Sequence, residues 1–233
     1  MNGFSVLESK LVLTDAGYVS DITDDWRQGR TAYGGVTTGL SYAAAMKAFP
    51  DLPLLKSLQI TFVGPVISNP AFKAILLRKG RNVTSVRVDG FCGESIVSTC
   101  VFIFSSARDS AVHDTLPAPQ TARPEKCEPF TQPDANIFVP SFFHRFETKL
   151  IEGGRPGSKA ETPYIRAWSR HGDPASRCGM AAFLTLGDVL PPAVLPTLKK
   201  LGPISSVNWQ MNILKDALTE DGWWQIETRQ SAA

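Results

Sequence analysis

The chain has 233 residues, a formal net charge of +2 at pH 7 and a charged fraction of 20%. At this length one large domain or two small ones can bury an extensive core, so no disulfide framework is needed for stability. The charges are spread along the chain without a basic stripe, a pattern that argues against a nucleic-acid-binding protein.

The N-terminal segment MNGFSVLESK lacks the cationic start and apolar core of a signal peptide. No apolar run in the chain approaches the ~18 residues of a membrane span. We therefore expect a cytoplasmic protein that has no membrane span. The next stretch, SKLVLTDAGYVSDI, contains Asp15, Ala16 and Gly17, which are suited to a tight turn. A β-hairpin is predicted here.

A helix is predicted within TAYGGVTTGLSYAAAMKAF, where Gly34 and Gly35 stand at the start and no charge precedes Lys47. A helix that is apolar on all sides belongs in a core. Four strand-like stretches follow it and predict an antiparallel meander: LLKSLQITFVGPV, AFKAILLRK, VTSVRVDGF and SIVSTCVFIFSSA. Residues 107–137 then hold five prolines and no hydrophobic period, which indicates a linker lying over the surface.

The order of elements recurs after the linker. Two strand-like stretches, FFHRFETKLIEG and ETPYIRAWSR, precede a second nearly uncharged helix in RCGMAAFLTLGDVLPP, and SSVNWQMNI resembles KSLQITFVG in pattern. Setting Gly179 on Gly35 gives an offset of 144, and setting Ser206 on Ser57 gives 149. The chain is therefore predicted to be an α+β tandem (double) hot-dog, with two antiparallel sheets that continue into each other and each wrap around a buried helix.

Three segments result, an N-terminal hot-dog, a Pro-rich linker and a C-terminal hot-dog: residues 1–106, 107–137 and 138–233. From Ser57 the first unit runs about fifty residues to Ser106, whereas only 28 residues lie from Ser206 to Ala233. We expect the second hot-dog to lack at least one strand within this chain. Either the protein continues beyond Ala233, or another chain completes the sheet.

Three motifs support a comparison with a known family. They are the glycine-pair helix start AYGGVTTGL, the Gly-Arg strand turn in LRKGRNVTSVRV and the Asp-containing helix end LGDVLPP. In their order and spacing the whole chain resembles the double hot-dog acyl-CoA thioesterases of the thioesterase II-like group. The resemblance implies acyl-CoA as the substrate, hydrolysis by water to a free acid and CoA, no covalent acyl-enzyme, no cofactor and no metal.

Asp188 is the only acidic or basic residue between Arg177 and Lys199, and burying an unpaired carboxylate is costly, so its presence requires an explanation. It either stops the helix before Pro191 by hydrogen bonding to nearby backbone, or it is a general base whose pKa is raised by desolvation. The repeat register sets Ala44 opposite Asp188. Catalysis is therefore expected only around the second helix.

The resemblance also implies a hydroxyl residue on the next strand beside this Asp, and the matching position is Ser206. Asn208 departs from the family pattern, in which Asp is frequent here. The family's Gln would lie on a strand after Ala233, so the catalytic set within this chain is incomplete.

The glycines at the two helix starts allow two interpretations. Gly34, Gly35 and Gly179 leave backbone N–H groups that can bind a carbonyl oxygen on which negative charge develops. Alternatively, glycine is there because helix and sheet approach too closely for a Cβ. Arg78 and Arg81 near a turn are candidates for binding the phosphates of CoA, with ordinary surface positions as the alternative.

The four cysteines have no CxxC spacing, which gives no indication of a zinc site. Cys178 precedes a helix start, where a thiol can become nucleophilic, but a small buried residue is the simpler interpretation.

Three functions are compatible with the scaffold. In the first, hydrolysis, Asp188 and Ser206 hold the attacking water and the acyl chain runs along the buried helices. The second is a non-catalytic acyl or acyl-CoA-binding protein, because the catalytic set is incomplete. Hydration or dehydration of an enoyl-CoA fits less well, since related enzymes use an Asp and His pair, and His113, His144 and His171 lack a suitable setting. Hot-dog sheets commonly associate edge to edge, so homo-oligomers through sheet edges fit the fold.

Overall fold

The computed structural model of the protein describes residues 3–109, 111–112, 117–132, 138–202, 204–215 and 219–231. The described residues form three α-helices, α1 to α3: Phe4–Ser9, Gly34–Ala48 and Met180–Leu186. They form thirteen strands, β1 to β13: Val12–Thr14, Gly17–Val19, Arg27–Gln28, Thr31–Ala32, Leu55–Phe62, Ala71–Lys79, Val83–Cys92, Ser95–Ser105, Glu128–Pro129, Phe146–Gly153, Tyr164–His171, Asn208–Asn212 and Trp224–Arg229.

The first sheet contains seven antiparallel strands in the order β1-β2-β6-β7-β8-β5-β12. The predicted hairpin is β1–β2. Of the predicted four-strand meander, β6 to β8 are consecutive neighbours, whereas β5 lies beyond β8 and pairs with it, so β5 and β6 are not adjacent. Because successive side chains of a strand point to opposite faces, one face of the sheet presents buried residues such as Leu58, Val86 and Phe102. This inner face packs against α2.

Helix α2 is buried over most of its length, as its uncharged sequence predicts. Alanines supply strong local helix propensity in its second half. Pro50 follows the C-cap residue Phe49, and a residue before proline is biased away from helical backbone angles, which ends the helix.

Helices α2 and α3 cross in opposite directions at very short distance. A Cβ added to Gly35 would stand 2.3 Å from the backbone oxygen of Thr185, and one added to Gly39 would stand 2.8 Å from the backbone oxygen of Ala181. The glycines one turn apart on α2 therefore allow direct contact with the α3 backbone. The close approach that glycine permits here is between two helices rather than between helix and sheet.

The second sheet contains four strands in the order β13-β11-β10-β9. Helix α3 packs against β11, and Phe183 of α3 lies 4.6 Å from Trp224 between ring centroids. This helix has seven residues and ends at Leu186, so it is shorter than the predicted segment RCGMAAFLTLGDVLPP. Pro191 and Pro192 follow shortly after its end, and proline cannot continue a helix because it lacks a backbone N–H.

Strand β12 belongs to the second half by sequence but pairs with β5 of the first half. The register sets Trp209 opposite Ile60 and Met211 opposite Leu58. The first sheet thus includes a strand from the second half, but among the described strands it does not join the second sheet, which differs from the expectation that the two sheets continue into each other. Within the described residues, β12 and β13 lie in separate sheets.

The linker and the N-terminus contain elements that the sequence patterns did not predict. Residues 128–129 form β9, which pairs with β10, and Phe130 is buried. Helix α1 packs against α2 and α3 through Phe4 and Leu7. One hydrophobic core runs through both halves. No helix in the described part of the chain is long and apolar enough to span a membrane.

Candidate active site

The C-terminal end of α3 brings Asp188 to the N-terminal end of α2. Asp188 follows the helix by one residue, Gly187, which is the C-cap. A Cβ added to Gly34 would stand 2.6 Å from Oδ2 of Asp188, and the backbone N–H of Gly35 donates a hydrogen bond to the carboxylate. The first N–H groups of a helix have no intrahelical acceptor and carry partial positive charge, so this position favours an anion.

Asp188 combines two opposing electrostatic influences. The side chain is half-buried, and burial raises the pKa of Asp188 from its ordinary value of 3.8 to about 7. The hydrogen bond from Gly35 lowers the pKa of Asp188, but less than burial raises it. A carboxylate with a pKa near neutrality can accept a proton from water and later return it.

Tyr33 lies directly before α2, and its buried side chain contacts the turn that carries Asp188. Its hydroxyl donates a hydrogen bond to the backbone oxygen of Thr185, with an Oη–O distance of 2.9 Å. The backbone N–H of Asp188 in turn hydrogen bonds to this hydroxyl. Burial raises the pKa of Tyr33 well above its usual value, so the hydroxyl keeps its proton.

The apolar side chain of Phe62, the last residue of β5, lies beside the carboxylate, and Val207 directly before β12 neighbours Phe62. A Cβ added to Gly34 would stand 2.9 Å from Cζ of Phe62 and 2.6 Å from Oδ2 of Asp188. The Phe62 ring and the Asp188 carboxylate therefore both lie against Gly34. The backbone N–H of Phe62 donates to the oxygen of Val207, which continues the β5–β12 register, and Val207 is 69% exposed. Alternation places Phe62 and Val207 on the inner face of the sheet.

At the crossing of the two buried helices an acyl chain cannot pass between them, whereas a path alongside the helices stays a prediction. At the crossing, Gly35 and Gly39 bring α2 against Thr185, so no space for a chain separates the two helices. The apolar side chain that lies near the Asp188 carboxylate is Phe62, on the inner face of the first sheet.

Ser206 does not lie on β12, because this strand begins at Asn208. The side chain of Ser206 is exposed. The pairing of β5 with the second half extends from Asn208 to Val207, whose oxygen accepts from the Phe62 N–H, and Ser206 precedes these paired residues. In the described part of the chain, Ser206 has no hydrogen bond to Asp188.

Arg78 and Arg81 lie at the far end of the first sheet. Arg78 pairs with Ser85, and the cross-strand row continues through Ile103 to Ser57 on β5. Five residues of extended strand separate this row from Phe62, a span of about 17 Å. Both arginines are exposed, and the chain does not bring them to Asp188.

Gly179 and Cys178 lie at the opposite end of α3 from Asp188. Seven helical residues span about 10 Å, so Gly179 is not part of the Asp188 site. Its φ of +90° is a conformation that favours glycine, which explains this residue without a ligand. Cys178 is exposed rather than buried.

The two histidines in the described part of the chain, His144 and His171, give no Asp and His pair at the site. His171 is buried, and its Nε2 lies 2.8 Å from the oxygen of Ala182. Desolvation lowers the pKa of His171 to about 4, so it is neutral at physiological pH. His144 lies in a short 3-10 helix, and His113 is outside the described residues.

Tyr33 and Phe62 are the site residues that the sequence patterns missed. Tyr33 directly precedes the glycine pair, but an aromatic residue before a helix carries no specific signal. Phe62 alternates with Leu58 and Ile60 and is indistinguishable by sequence from a core residue. Only the tertiary contacts of Gly34 single it out.

Comparison with family models matches both halves of the chain. Residues 22–105 match the acyl-CoA thioesterase N-terminal domain, and residues 124–233 match the acyl-CoA thioesterase C-terminal domain. No curated protein sequence matches the chain.

Solved structures share the fold at low sequence identity. A conserved protein of unknown function with a hot-dog fold from Alicyclobacillus acidocaldarius has a TM-score of 0.81 at 20% identity, covering 93% of this chain and 80% of that one. A candidate thioesterase II from Thermobifida fusca YX has a TM-score of 0.76 at 18% identity, covering 97% and 85%.

The tesB protein of Mycobacterium avium subs paratuberculosis has a TM-score of 0.73 at 17% identity, covering 99% of this chain and 89% of that one. Together with the two halves of the structure, these similarities confirm the predicted double hot-dog fold. The two family models cover consecutive parts of the chain in the order of that fold, so the chain belongs to the two-domain acyl-CoA thioesterase family.

Proposed function

We propose that the protein hydrolyses an acyl-CoA thioester with a water molecule activated by Asp188. The observation that carries this proposal is the half-buried carboxylate held against the N-terminus of α2, with a pKa of about 7. A base and a cluster of helical N–H groups within one site are the two elements that thioester hydrolysis requires.

In the proposed reaction the Asp188 carboxylate accepts a proton from water while the water oxygen bonds to the thioester carbonyl carbon. The carbonyl oxygen gains negative charge and faces the first turn of α2, where the Gly34 N–H is available in addition to the Gly35 N–H that orients the carboxylate. The C–S bond then breaks, and Asp188 returns its proton to the sulfur. The products are a carboxylic acid and CoA, and no acyl-enzyme forms.

The pH dependence of hydrolysis provides a direct test of the base. Because Asp188 must be ionised to accept a proton, activity is expected to be low in acid and to rise with pH through about 7. Measurement of kcat/KM from pH 5 to 9 with one acyl-CoA checks this. A rate that reaches its plateau by pH 5 would mean that the group responsible has an ordinary carboxyl pKa.

The acyl chain is proposed to lie along the inner face of the β5–β12 junction, against Phe62 and Val207. Val207→Trp should shorten the space for the chain, so that kcat/KM for long acyl-CoA falls about tenfold while acetyl-CoA changes by less than about twofold. The matched control is Asn208→Trp, which places the same side chain on the outer face of β12. Equal effects of the two substitutions on long chains would contradict this path.

The alternative function is acyl-CoA binding without turnover, and the exposed position of Ser206 outside β12 favours it. A thiol-release assay over a series of acyl lengths, combined with calorimetric binding of the same compounds, separates the two functions. Hydrolysis predicts thiol release above background that disappears in Asp188→Asn. Binding with no release from the unmodified protein would instead support the alternative.

A further inference from the structure

Tyr33 links the start of α2 to the turn that carries Asp188. Its side chain is 1% exposed, and its hydroxyl lies 2.9 Å from the backbone oxygen of Thr185, in the last turn of α3. Carbonyl groups in the last turn of a helix have no intrahelical donor. The Tyr33 hydroxyl supplies one to Thr185 and accepts from the N–H of Asp188.

Aromatic residues of the second half fix the ring of Tyr33. The rings of Tyr33 and Phe142 stack with centroids 3.9 Å apart and an interplanar angle of 4°, and Phe146 meets Tyr33 edge to face at 6.0 Å. A ring held on two sides in a core has one accessible position. The hydroxyl therefore has a fixed location with respect to the Thr185–Asp188 turn.

We infer that Tyr33 is a positioning residue that holds the Asp188 carboxylate against the N-terminus of α2, an inference that rests on the proposed role of Asp188 as the base. Without the hydroxyl, the Thr185 carbonyl and the Asp188 N–H lose a shared partner inside the protein. Buried polar groups that lose a partner become costly, and the turn relieves this cost by moving toward water. The carboxylate then leaves Gly34 and Gly35.

The groups around Asp188 make this movement measurable. Tyr33 is the titratable group that faces it from the start of α2, while Phe62 from β5 and Met211 from β12 contribute apolar atoms near the turn. A carboxylate that moves into water loses the desolvation that raises its pKa. Its titration midpoint should consequently fall.

The test compares Tyr33→Phe with Tyr42→Phe, which removes the same atom from a tyrosine further along α2 whose ring packs against Phe102 and Phe104. In Tyr33→Phe we expect kcat to fall about ten- to a hundredfold with KM within about twofold, because small displacements of a reacting group have effects of this size. The acid limb of the pH–rate profile should move to lower pH. Tyr42→Phe should change kcat by less than about twofold.

A second readout needs no turnover. The ¹³C carboxyl resonance of Asp188, assigned by its loss in Asp188→Asn, is titrated in the substrate-free protein, and its midpoint should be lower in Tyr33→Phe than in the unmodified protein or Tyr42→Phe. Unchanged midpoint and kcat in Tyr33→Phe would overturn the positioning role. Undiminished hydrolysis in Asp188→Asn would overturn the proposed base, while the ¹³C titration would still report on positioning.

Phe142→Leu provides a variant that keeps the hydroxyl and removes its stacking partner. It should lower the Asp188 midpoint in the same direction as Tyr33→Phe, and it can be measured even if Tyr33→Phe does not fold. A midpoint in Phe142→Leu equal to that of the unmodified protein would count against a hydroxyl held in place by ring stacking.

Discussion

Asp188→Asn is expected to reduce kcat for acyl-CoA hydrolysis by about a hundredfold to ten-thousandfold, the range that a positioned general base contributes. The amide has nearly the same shape as the carboxylate and still accepts the hydrogen bond from Gly35, but it does not take a proton from water. Binding of the substrate should be retained, with the dissociation constant of acyl-CoA within about threefold. Steady-state thiol release and calorimetric titration give the two values.

The folding stability of Asp188→Asn separates a chemical role from a structural one. Because the folded-state pKa of Asp188 is raised, the fold favours the protonated carboxyl over the ionised carboxylate. The stability that the protonated carboxyl contributes at low pH is lost as the pH rises through about 7. An uncharged amide avoids this loss, so the variant should unfold at the same or a higher temperature at pH 8. More than a tenth of the normal hydrolysis rate in a folded variant would remove Asp188 from the mechanism.

Much of the architecture could be predicted from periodicity and composition. The charge-free segment around α2 indicated a buried helix, and the recurrence of elements indicated a duplicated unit. The strand-like stretches indicated β5 to β8, but only β6 to β8 form a meander, because β5 pairs with β8 at the other side. Helix α1 and strand β9 were not predicted, because a six-residue helix and a two-residue strand are too short to show a period. Tertiary contacts with α2 and with β10 stabilise them.

The sequence identified the two ends of the candidate site but not their contact. Asp188 stood out as an isolated charge, and Gly34 and Gly35 stood out as a glycine pair. The repeat register aligned Gly35 with Gly179 and therefore could not indicate that Asp188 of one unit meets the helix start of the other. That contact depends on the antiparallel crossing of α2 and α3.

Ser206 shows the limit of carrying a residue over from a pattern. Its match to the family position rests on the order of residues around β12, and one residue of register decides which face of a strand a side chain occupies. In the structure the pairing brings Val207, rather than Ser206, to Phe62. A proposed role for Ser206 in holding water thus requires a rearrangement of this segment, whereas the role of Asp188 does not.

The crossing of α2 and α3 depends on Gly35 more directly than on any apolar side chain. A Cβ on Gly35 would lie 2.3 Å from the Thr185 oxygen and 2.5 Å from Cε1 of Tyr33, both closer than real Cβ contacts. The first neighbour is backbone and the second belongs to a stacked ring. Neither can move without shifting the turn that carries Asp188.

Gly35→Ala should therefore lower the free energy of unfolding by about 2 kcal/mol, the usual size of an overpacking defect. The effect is informative because alanine is by itself the better helix former by about 0.5–1 kcal/mol. Hydrolysis should fall at least tenfold, since Thr185 and Asp188 move together. Gly202→Ala, where an added Cβ meets no atom of the described residues within 4 Å, is the control and should leave both quantities nearly unchanged. Denaturant unfolding of the two variants measures the difference. A Gly35→Ala protein as stable as Gly202→Ala would mean that the helices can separate without cost, and the rigid placement of Asp188 against α2 would then have no physical basis.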